Sequence, residues 1–104
     1  MNIDKQLLSF KVFGFEKTSE IVQSIFTKGD ELKWKDLTKT ILKMESKIGG
    51  FSEVNFDSNK MVLQVEFYKA NGKEYEIDSI VNFDIMLYPS AFDGIEDDIV
   101  GDLN

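Results

Sequence analysis

The sequence predicts an α+β fold: an N-terminal strand, two helices, and then an antiparallel β-meander packed on the helices. Two observations favour this class. A strongly amphipathic segment lies at 30–50, and residues of alternating polarity run through 60–88, up to the only proline, Pro89. A chain of 104 residues can bury a hydrophobic core without disulfides or metal ions, so we expect a single domain over 1–104.

The first predicted element is a strand at 7–15, LLSFKVFGF, whose aromatic and β-branched residues favour extended structure. A short helix follows, because Thr18 or Ser19 can accept a hydrogen bond from an amide of the first helical turn. We expect this helix to end by Gly29.

The segment DELKWKDLTKTILKMESKIGG, at 30–50, has the clearest helical pattern in the chain. Its apolar residues recur at alternating steps of three and four and form one stripe, which we assign to the core: Trp34, Leu37, Ile41, Met44 and Ile48. Lysines spaced by four form a column on another face: Lys35, Lys39, Lys43 and Lys47. This column is either a solvated face or a surface for an anionic ligand or for self-association. Gly49 and Gly50 end the helix.

Three strand candidates make up the meander, at 51–56, 60–69 and 73–88. In the second, odd-numbered apolar residues alternate with more polar ones, which indicates one buried face. The third alternates over sixteen residues, which is longer than a usual strand. We therefore expect a bend or a break near residues 78–79.

The connection between the last two strands decides which residues face each other. A two-residue turn at Asn71 and Gly72 would set the core face of one strand against the charged face of the next. A three-residue loop at 70–72 instead pairs Phe67 with Tyr75, so that apolar residues meet and Gly72 takes a left-handed conformation. We therefore predict the three-residue loop.

This register places Glu66 opposite Glu76, with Glu74 and Asp78 beside them and Asp84 further along the same face. Like charges that oppose each other on a sheet are destabilising by up to about 1 kcal/mol per pair. Two interpretations are open. The face is either a solvated surface, which lysines of the helices can neutralise, or a docking surface whose repulsion a cationic partner relieves.

The composition excludes most catalytic chemistry, because the chain has no cysteine, no histidine and no arginine. Without histidine and cysteine, most nucleophile–base pairs and transition-metal sites are excluded. Without arginine, bidentate recognition of phosphate is not available. The composition therefore favours a binding protein over an enzyme.

Charge is divided unevenly along the chain. Residues 1–73 carry twelve lysines and ten acidic residues, whereas residues 74–104 carry nine acidic residues and no lysine, for a formal net charge of −7. A nucleic-acid-binding protein would show the opposite sign, so we expect a basic protein as the partner. The acidic tail at 90–104 is compatible with both a short amphipathic helix and a loose terminus.

Residues 55–66 imitate a calcium-binding loop, since Asn55, Asp57, Asn59 and Glu66 stand at ligand positions. The loop needs glycine where Lys60 stands, and the segment alternates like a strand. Glycine-rich phosphate-binding motifs are also absent. We therefore predict neither a metal site nor a cofactor site.

The chain resembles bacterial toxin-immunity proteins, including those of contact-dependent growth inhibition systems, in its small size, its acidic segment and its lack of catalytic groups. The resemblance implies an inhibitor that binds a basic protein toxin, often a nuclease, and blocks its active site or its substrate surface. The carboxylates that would contact the toxin lie on the predicted sheet face and in the tail: Glu66, Glu74, Glu76, Asp78, Asp84, Asp93, Glu96, Asp97 and Asp98.

Two other functions fit the same composition. One is a phage-type DNA mimic, such as an anti-restriction or anti-CRISPR protein, which would present its carboxylates to a DNA-binding enzyme. The other is a structural or assembly subunit, in which an exposed sheet edge or the lysine column builds an oligomer. The sequence has no apolar run long enough for a signal peptide or a membrane span, so we expect a cytoplasmic location and no membrane partner.

Overall fold

The computed structural model describes residues 5–87, which form two α-helices, a short 3-10 helix and five strands. In chain order they are the 3-10 helix Lys5–Leu7, β1 (Leu8–Lys17), α1 (Glu20–Ile25), β2 (Glu31–Lys33), α2 (Trp34–Ile48), β3 (Phe51–Asp57), β4 (Val62–Asn71) and β5 (Glu74–Leu87). The predicted α+β class is confirmed. The predicted tail at 90–104 lies outside the described residues.

The five strands form one sheet in the order β2-β1-β5-β4-β3, and all neighbouring strands are antiparallel. The last three strands are the predicted meander, and the N-terminal strand β1 pairs with β5. Both helices pack on the same face of the sheet through a shared apolar core. The opposite face carries no helix of the described chain.

The strand β2 was not expected, because residues 30–33 were assigned to the second helix. Leu32 lies opposite Phe10 of β1 and packs against the core, so these residues extend the sheet before the helix begins. The helix α2 starts at Trp34, one residue after the strand ends. Three residues are too few to show a strand period, and the pattern therefore gave no sign of β2.

The short helix α1 begins where the sequence indicated. The Oγ atom of Ser19, the residue before the helix, accepts a hydrogen bond from the Val22 amide at 3.2 Å. The same hydroxyl donates to Asp78 Oδ2 of β5 at 2.8 Å. The start of the helix is thereby tied to the sheet.

The helix α2 buries the predicted apolar stripe. Leu37 and Met44 are fully buried, Ile41 is nearly so, and the two ends of the stripe pack against the core. The helix ends at Gly49, whose amide donates to the carbonyl of Glu45. All four lysines of the predicted column are exposed, as expected of a helix whose other face is in the core.

Alternate residues of the three longest strands supply the sheet side of the core. They are Leu8, Phe10 and Val12 of β1, Leu63, Val65 and Phe67 of β4, and Val81, Phe83 and Ile85 of β5. Phe26, which follows α1, lies against two of them, with ring centroids 5.8 Å from Phe67 and 5.7 Å from Phe83. These aromatic contacts join the helical layer to the centre of the sheet.

The predicted register of the β4–β5 hairpin is wrong. The strands are joined by a two-residue turn, with Gly72 at φ +66° and Asn71 opposite Glu74, so that Ala70 rather than Phe67 faces Tyr75. The bend or break predicted near 78–79 is a bulge: β5 runs on from Glu74 to Leu87, but Asp78 is an extra, unpaired residue in it.

This bulge explains how a two-residue turn and a continuous core coexist. On the core side of the bulge, Val65 faces Val81 and apolar residues meet. On the turn side, an extra residue has shifted the alternation, and residues of β5 change faces. Tyr75 and Ile77 therefore leave the core face to which the uninterrupted pattern assigned them.

The backbone around Gly50 leaves no room for a side chain. A Cβ atom built on Gly50 would lie 1.7 Å from the carbonyl oxygen of Tyr68 in β4. Replacing Gly50 by alanine must therefore push β3 away from β4 at the point where the pair begins. We expect Gly50→Ala to lower the free energy of unfolding by at least about 2 kcal/mol, measured by urea denaturation.

Gly14→Ala is the matched control, because a Cβ atom at Gly14 would meet nothing within 4 Å. We expect its unfolding free energy to stay the same or to rise by about 0.4–1 kcal/mol, through the smaller entropy of the unfolded chain. Equal stabilities for the two variants would show that the close approach at Gly50 does not hold.

Candidate functional site

The described helices α1 and α2 leave the other side of the sheet uncovered. We call it the open face. Its residues alternate with those of the core along each strand. In the meander they are Phe51, Glu53, Asn55, Asp57, Val62, Gln64, Glu66, Tyr68, Ala70, Tyr75, Ile77, Ile80, Asn82, Asp84 and Met86. The meander part of the open face thus carries four carboxylates and no lysine, and β1 adds Lys11 opposite Asp84 and Lys17 opposite Ile80 on the same face.

Two of these carboxylates oppose each other directly. Glu53 of β3 is the cross-strand partner of Glu66 in β4. Within residues 5–87, neither of them forms an ion pair with a lysine; the ion pair found there joins Lys69 to Glu76 at 3.6 Å. A directly opposed pair of like charges costs up to about 1 kcal/mol of stability. The pair is therefore a site of uncompensated negative charge.

Hydrogen bonds hold the Glu66 side chain in place. Its Oε1 atom accepts from the Asn55 side-chain amide at 2.6 Å, and its Oε2 atom accepts from the Tyr68 hydroxyl at 3.0 Å. Both donors are neutral, so the negative charge of Glu66 is oriented but not cancelled. A carboxylate fixed in this way needs little further ordering when a cation approaches.

Three aromatic rings cluster beside this pair. Phe51 stacks on Tyr68 with centroids 4.9 Å apart and planes inclined by 12°, and it meets Tyr75 edge-on at the same distance. The rings of Phe51 and Tyr75 are 38% and 57% exposed. Together with the two glutamates they form what we call the aromatic-acidic patch: Phe51, Glu53, Glu66, Tyr68 and Tyr75.

The fold brings the patch together in two ways. The β3–β4 register sets Phe51 against Tyr68 and Glu53 against Glu66. The bulge at Asp78 turns Tyr75 onto the open face, where it reaches Phe51. Without the bulge, the alternation of β5 would carry Tyr75 to the helix side.

A row of polar side chains crosses the open face next to the patch. Asn55, Gln64 and Asn82 lie side by side in β3, β4 and β5. The Gln64 amide donates to Asn82 Oδ1 at 3.0 Å and also to Glu16 Oε2 of β1. This row holds Glu16 at the edge of the acidic surface, so a fifth carboxylate joins those of the meander.

The structure separates the carboxylates that the sequence grouped together. Glu66 and the exposed Asp84 lie on the open face, but Glu74 and Glu76 are on the helix side of the hairpin. The predicted pairing of Glu66 with Glu76 is wrong, because the bulge shifts the register and Glu66 lies opposite Ile80. The predicted tail residues lie outside the described part of the chain: Asp93, Glu96, Asp97 and Asp98.

Two of the separated carboxylates have partners inside the protein. Glu76 pairs with Lys69 and accepts a hydrogen bond from the Asn71 amide at 3.1 Å. Asp78 is buried and accepts from the Ser19 hydroxyl. Both groups therefore have a clear role in the fold.

The most important members of the patch could not be found from the sequence. Glu53 lies in a strand candidate whose partner was not assigned, and Tyr75 was assigned to the core. The β3 sequence, FSEVNFD, does alternate between polar and apolar residues from Glu53 onward, which indicates a strand. That pattern does not say which carboxylate of a neighbouring strand lies opposite Glu53.

The negative charge of the patch acts on Tyr68. The hydrogen bond to Glu66 raises the pKa of the Tyr68 phenol above its ordinary value of 10.0, and burial and the charges of Glu66 and Glu53 act in the same direction. The phenol therefore stays protonated, and remains a hydrogen-bond donor, to higher pH than an isolated tyrosine.

No protein-family model, curated protein or solved structure matches this chain. The function must therefore be inferred from the geometry of the site. Neither helix in the described part of the chain is long and apolar enough to cross a membrane. Residues 5–87 also contain no group of three acidic side chains arranged to hold a metal ion.

The first prediction for this site concerns the Tyr68 phenol. Glu66→Gln removes the charge that favours the protonated phenol, so we expect the Tyr68 pKa to fall toward 10.0. The measurement is a pH titration of the tyrosine ring carbons by NMR. The matched control, Glu74→Gln, makes the same change on the other face and should leave the Tyr68 pKa unchanged. An unchanged pKa in Glu66→Gln would mean that the Glu66 carboxylate does not act on the Tyr68 phenol.

A second prediction separates Asp78 from the binding surface. Asp78→Ala removes the acceptor that holds Ser19 Oγ, so we expect a loss of about 1–2 kcal/mol in unfolding free energy. In a double-mutant cycle with Ser19→Ala, the two losses should not add, because they remove one shared interaction. Additive losses would mean that the two side chains do not interact in solution.

Proposed function

We propose that the protein is a small acidic inhibitor that binds a basic protein, as toxin-immunity proteins do, and that the aromatic-acidic patch is the centre of its interface. The observation that supports this proposal is the position of an uncompensated pair of carboxylates, Glu53 and Glu66, next to exposed aromatic rings. The proposal therefore keeps Glu66 from the sequence-predicted site and adds two residues of β3, Tyr68 of β4 and Tyr75 of β5.

The aromatic rings supply what an acidic surface alone lacks. Tyrosine and other aromatic residues dominate the energetics of protein interfaces, because they bury much area with few rotatable bonds. Phe51, Tyr68 and Tyr75 hold one another through ring contacts, so the cluster is already ordered before a partner binds. A surface that served only solubility would not need exposed stacked rings.

The carboxylates supply selectivity for a cationic partner. A lysine or arginine placed between Glu53 and Glu66 would relieve their mutual repulsion, and its side chain would lie near the aromatic rings, where cation–π contacts are favourable. Asp57 and Glu16 extend the negative field beside the patch and would speed the encounter with a positively charged protein, whereas Asp84 has Lys11 of β1 as its cross-strand partner.

Inhibition would then follow from occlusion. A protein that cleaves nucleic acid must carry a basic surface for its substrate, and an acidic protein seated there blocks it without any chemistry of its own. This mechanism needs no catalytic residue or cofactor in the inhibitor. It fits a chain without histidine, cysteine or arginine, acting in the cytoplasm.

The test begins with the protein products of the neighbouring reading frames, since immunity proteins act on a cognate toxin. A tagged full-length chain is co-expressed with each product, and any complex is measured by calorimetry at two salt concentrations. We expect a basic partner whose binding weakens as salt rises. Inhibition of a partner nuclease by the wild-type chain completes the test.

Variants then locate the interface. Glu66→Lys and Tyr75→Ala should each weaken binding by about tenfold or more, because they change charge and aromatic area at the centre of the patch. The matched control is Glu74→Lys, which reverses the same charge on the exposed helix side of the hairpin. Its affinity should stay within a factor of about three of wild type.

Other results would redirect the proposal. If Glu74→Lys weakens binding as much as Glu66→Lys, net charge rather than the patch controls affinity. If the chain instead inhibits an unrelated DNA-binding enzyme, and Tyr75→Ala has no effect, the protein acts as a DNA mimic. In both cases the aromatic-acidic patch is not the interface.

A further inference from the structure

Strand β3 lies at one edge of the sheet, and no described strand pairs with its outer side. Within residues 5–87, β3 pairs with β4 on one side only; its seven residues contain no bulge, proline or lysine, and its two charged residues, Glu53 and Asp57, both lie on the open face. Natural sheets usually protect an edge with such features, because its unpaired backbone groups attract other strands. The strand at the opposite edge, β2, has only three residues and therefore offers few unpaired backbone groups.

Two apolar side chains of β3 lie on the helix side of the sheet, next to this edge. Val54 is 46% exposed and Phe56 is 57% exposed, although both point toward the side where the core lies. With Trp34, Met61 and Leu63 they border a groove of about 660 Å³ that the helices do not fill. A strand added beside β3 would cover these two residues and pair the backbone groups of the edge.

We infer that this strand is the β3 of a second copy of the chain, which pairs antiparallel about a two-fold axis at Val54. An antiparallel pair of identical strands is self-complementary, as a closed two-fold dimer requires. The sheet would continue from one copy into the other, with both open faces on the same side. The inference does not depend on the proposed inhibitory function.

The alternation of faces and the length of β3 limit the possible registers. Core-side residues must meet core-side residues, so the axis has to pass through a residue and not between two. An axis at Val54 pairs the whole strand, with Phe51 opposite Asp57 of the second copy. An axis at Glu53 or Asn55 leaves two residues of each strand without a partner.

Charge selects the same register. An axis at Glu53 would place that carboxylate against its own copy, and an axis at Asn55 would place Glu53 against Asp57. Both arrangements oppose like charges on the sheet. With the axis at Val54, Glu53 faces Asn55, a neutral residue whose amide also donates to Glu66 of its own copy. This is the register in which the full strand pairs without opposed carboxylates.

The experiment is sedimentation equilibrium of the full chain over a wide range of concentrations. We expect a reversible monomer–dimer equilibrium. Val54→Lys places two lysines together at the axis and should weaken the dimer by about tenfold or more. Leu42→Lys is the matched control, because Leu42 is an exposed apolar residue of α2 and not of the sheet edge; the dimer of this variant should be as stable as that of wild type.

Two variants of one residue test the register. Asn55→Asp sets a carboxylate against Glu53 of the second copy at both symmetric positions, and should weaken the dimer by about tenfold at low salt. Asn55→Lys sets a cation there and should strengthen it. If Asn55→Lys weakens the dimer instead, the axis does not lie at Val54 and the inference is overturned.

Hydrogen exchange identifies what covers the edge. If a second copy pairs with β3, the amides of 51–57 on its outer side gain protection as the protein concentration rises. Protection that is independent of concentration would mean that another segment of the same chain covers the edge, and would overturn the inference. A chain that stays monomeric at all concentrations, or a dimer unaffected by Val54→Lys, would overturn it as well.

Discussion

The bulge at Asp78 is the constraint on which the rest of the structure depends. It allows β5 to keep its core residues in line with those of β4 while a two-residue turn closes the hairpin. The extra residue also stabilises α1, because its carboxylate accepts a hydrogen bond from the Ser19 hydroxyl and so holds the start of the helix to the sheet. The same bulge turns Tyr75 to the open face, so one irregularity supports both a helix and the candidate site.

Much of this fold could be predicted from the sequence because it depends on periodicity. The stripe of α2 and the alternation in β4 each repeat several times, and a repeated pattern is only satisfied by one arrangement of faces. The register of the hairpin does not repeat. One extra residue at Asp78 leaves the alternation of faces intact before it and after it. It changes only which face the residues before Asp78 share with the residues after it. Strand β2 was missed for a related reason, since three residues contain too little pattern to recognise.

The candidate site was predictable only in part, for the same physical reason. Its acidic character follows from composition, and Glu66 and Asp84 share one sheet face, as the alternation predicted. Its centre depends on which residues of three strands lie side by side. Glu53 meets Glu66 through the β3–β4 register, and Tyr75 meets Phe51 through the bulge. The sequence of one strand does not show which residues of the neighbouring strands it will contact, so the aromatic-acidic patch can be identified only from the assembled sheet.

The carboxylates of the sheet differ in what the fold does with them. Asp78 holds the cap of a helix, Glu76 has Lys69, and Glu45 of α2 accepts from the Ser52 hydroxyl at 2.8 Å, so each contributes to the folded state. Glu53 has no such partner among the described residues and lies against Glu66, where it lowers stability. A neutral side chain at Glu53 would stabilise the sheet without disturbing the core, since the residue is exposed. The stability of the isolated chain therefore gives no reason for this pair, and the reason is better sought in a cation that another protein brings to it.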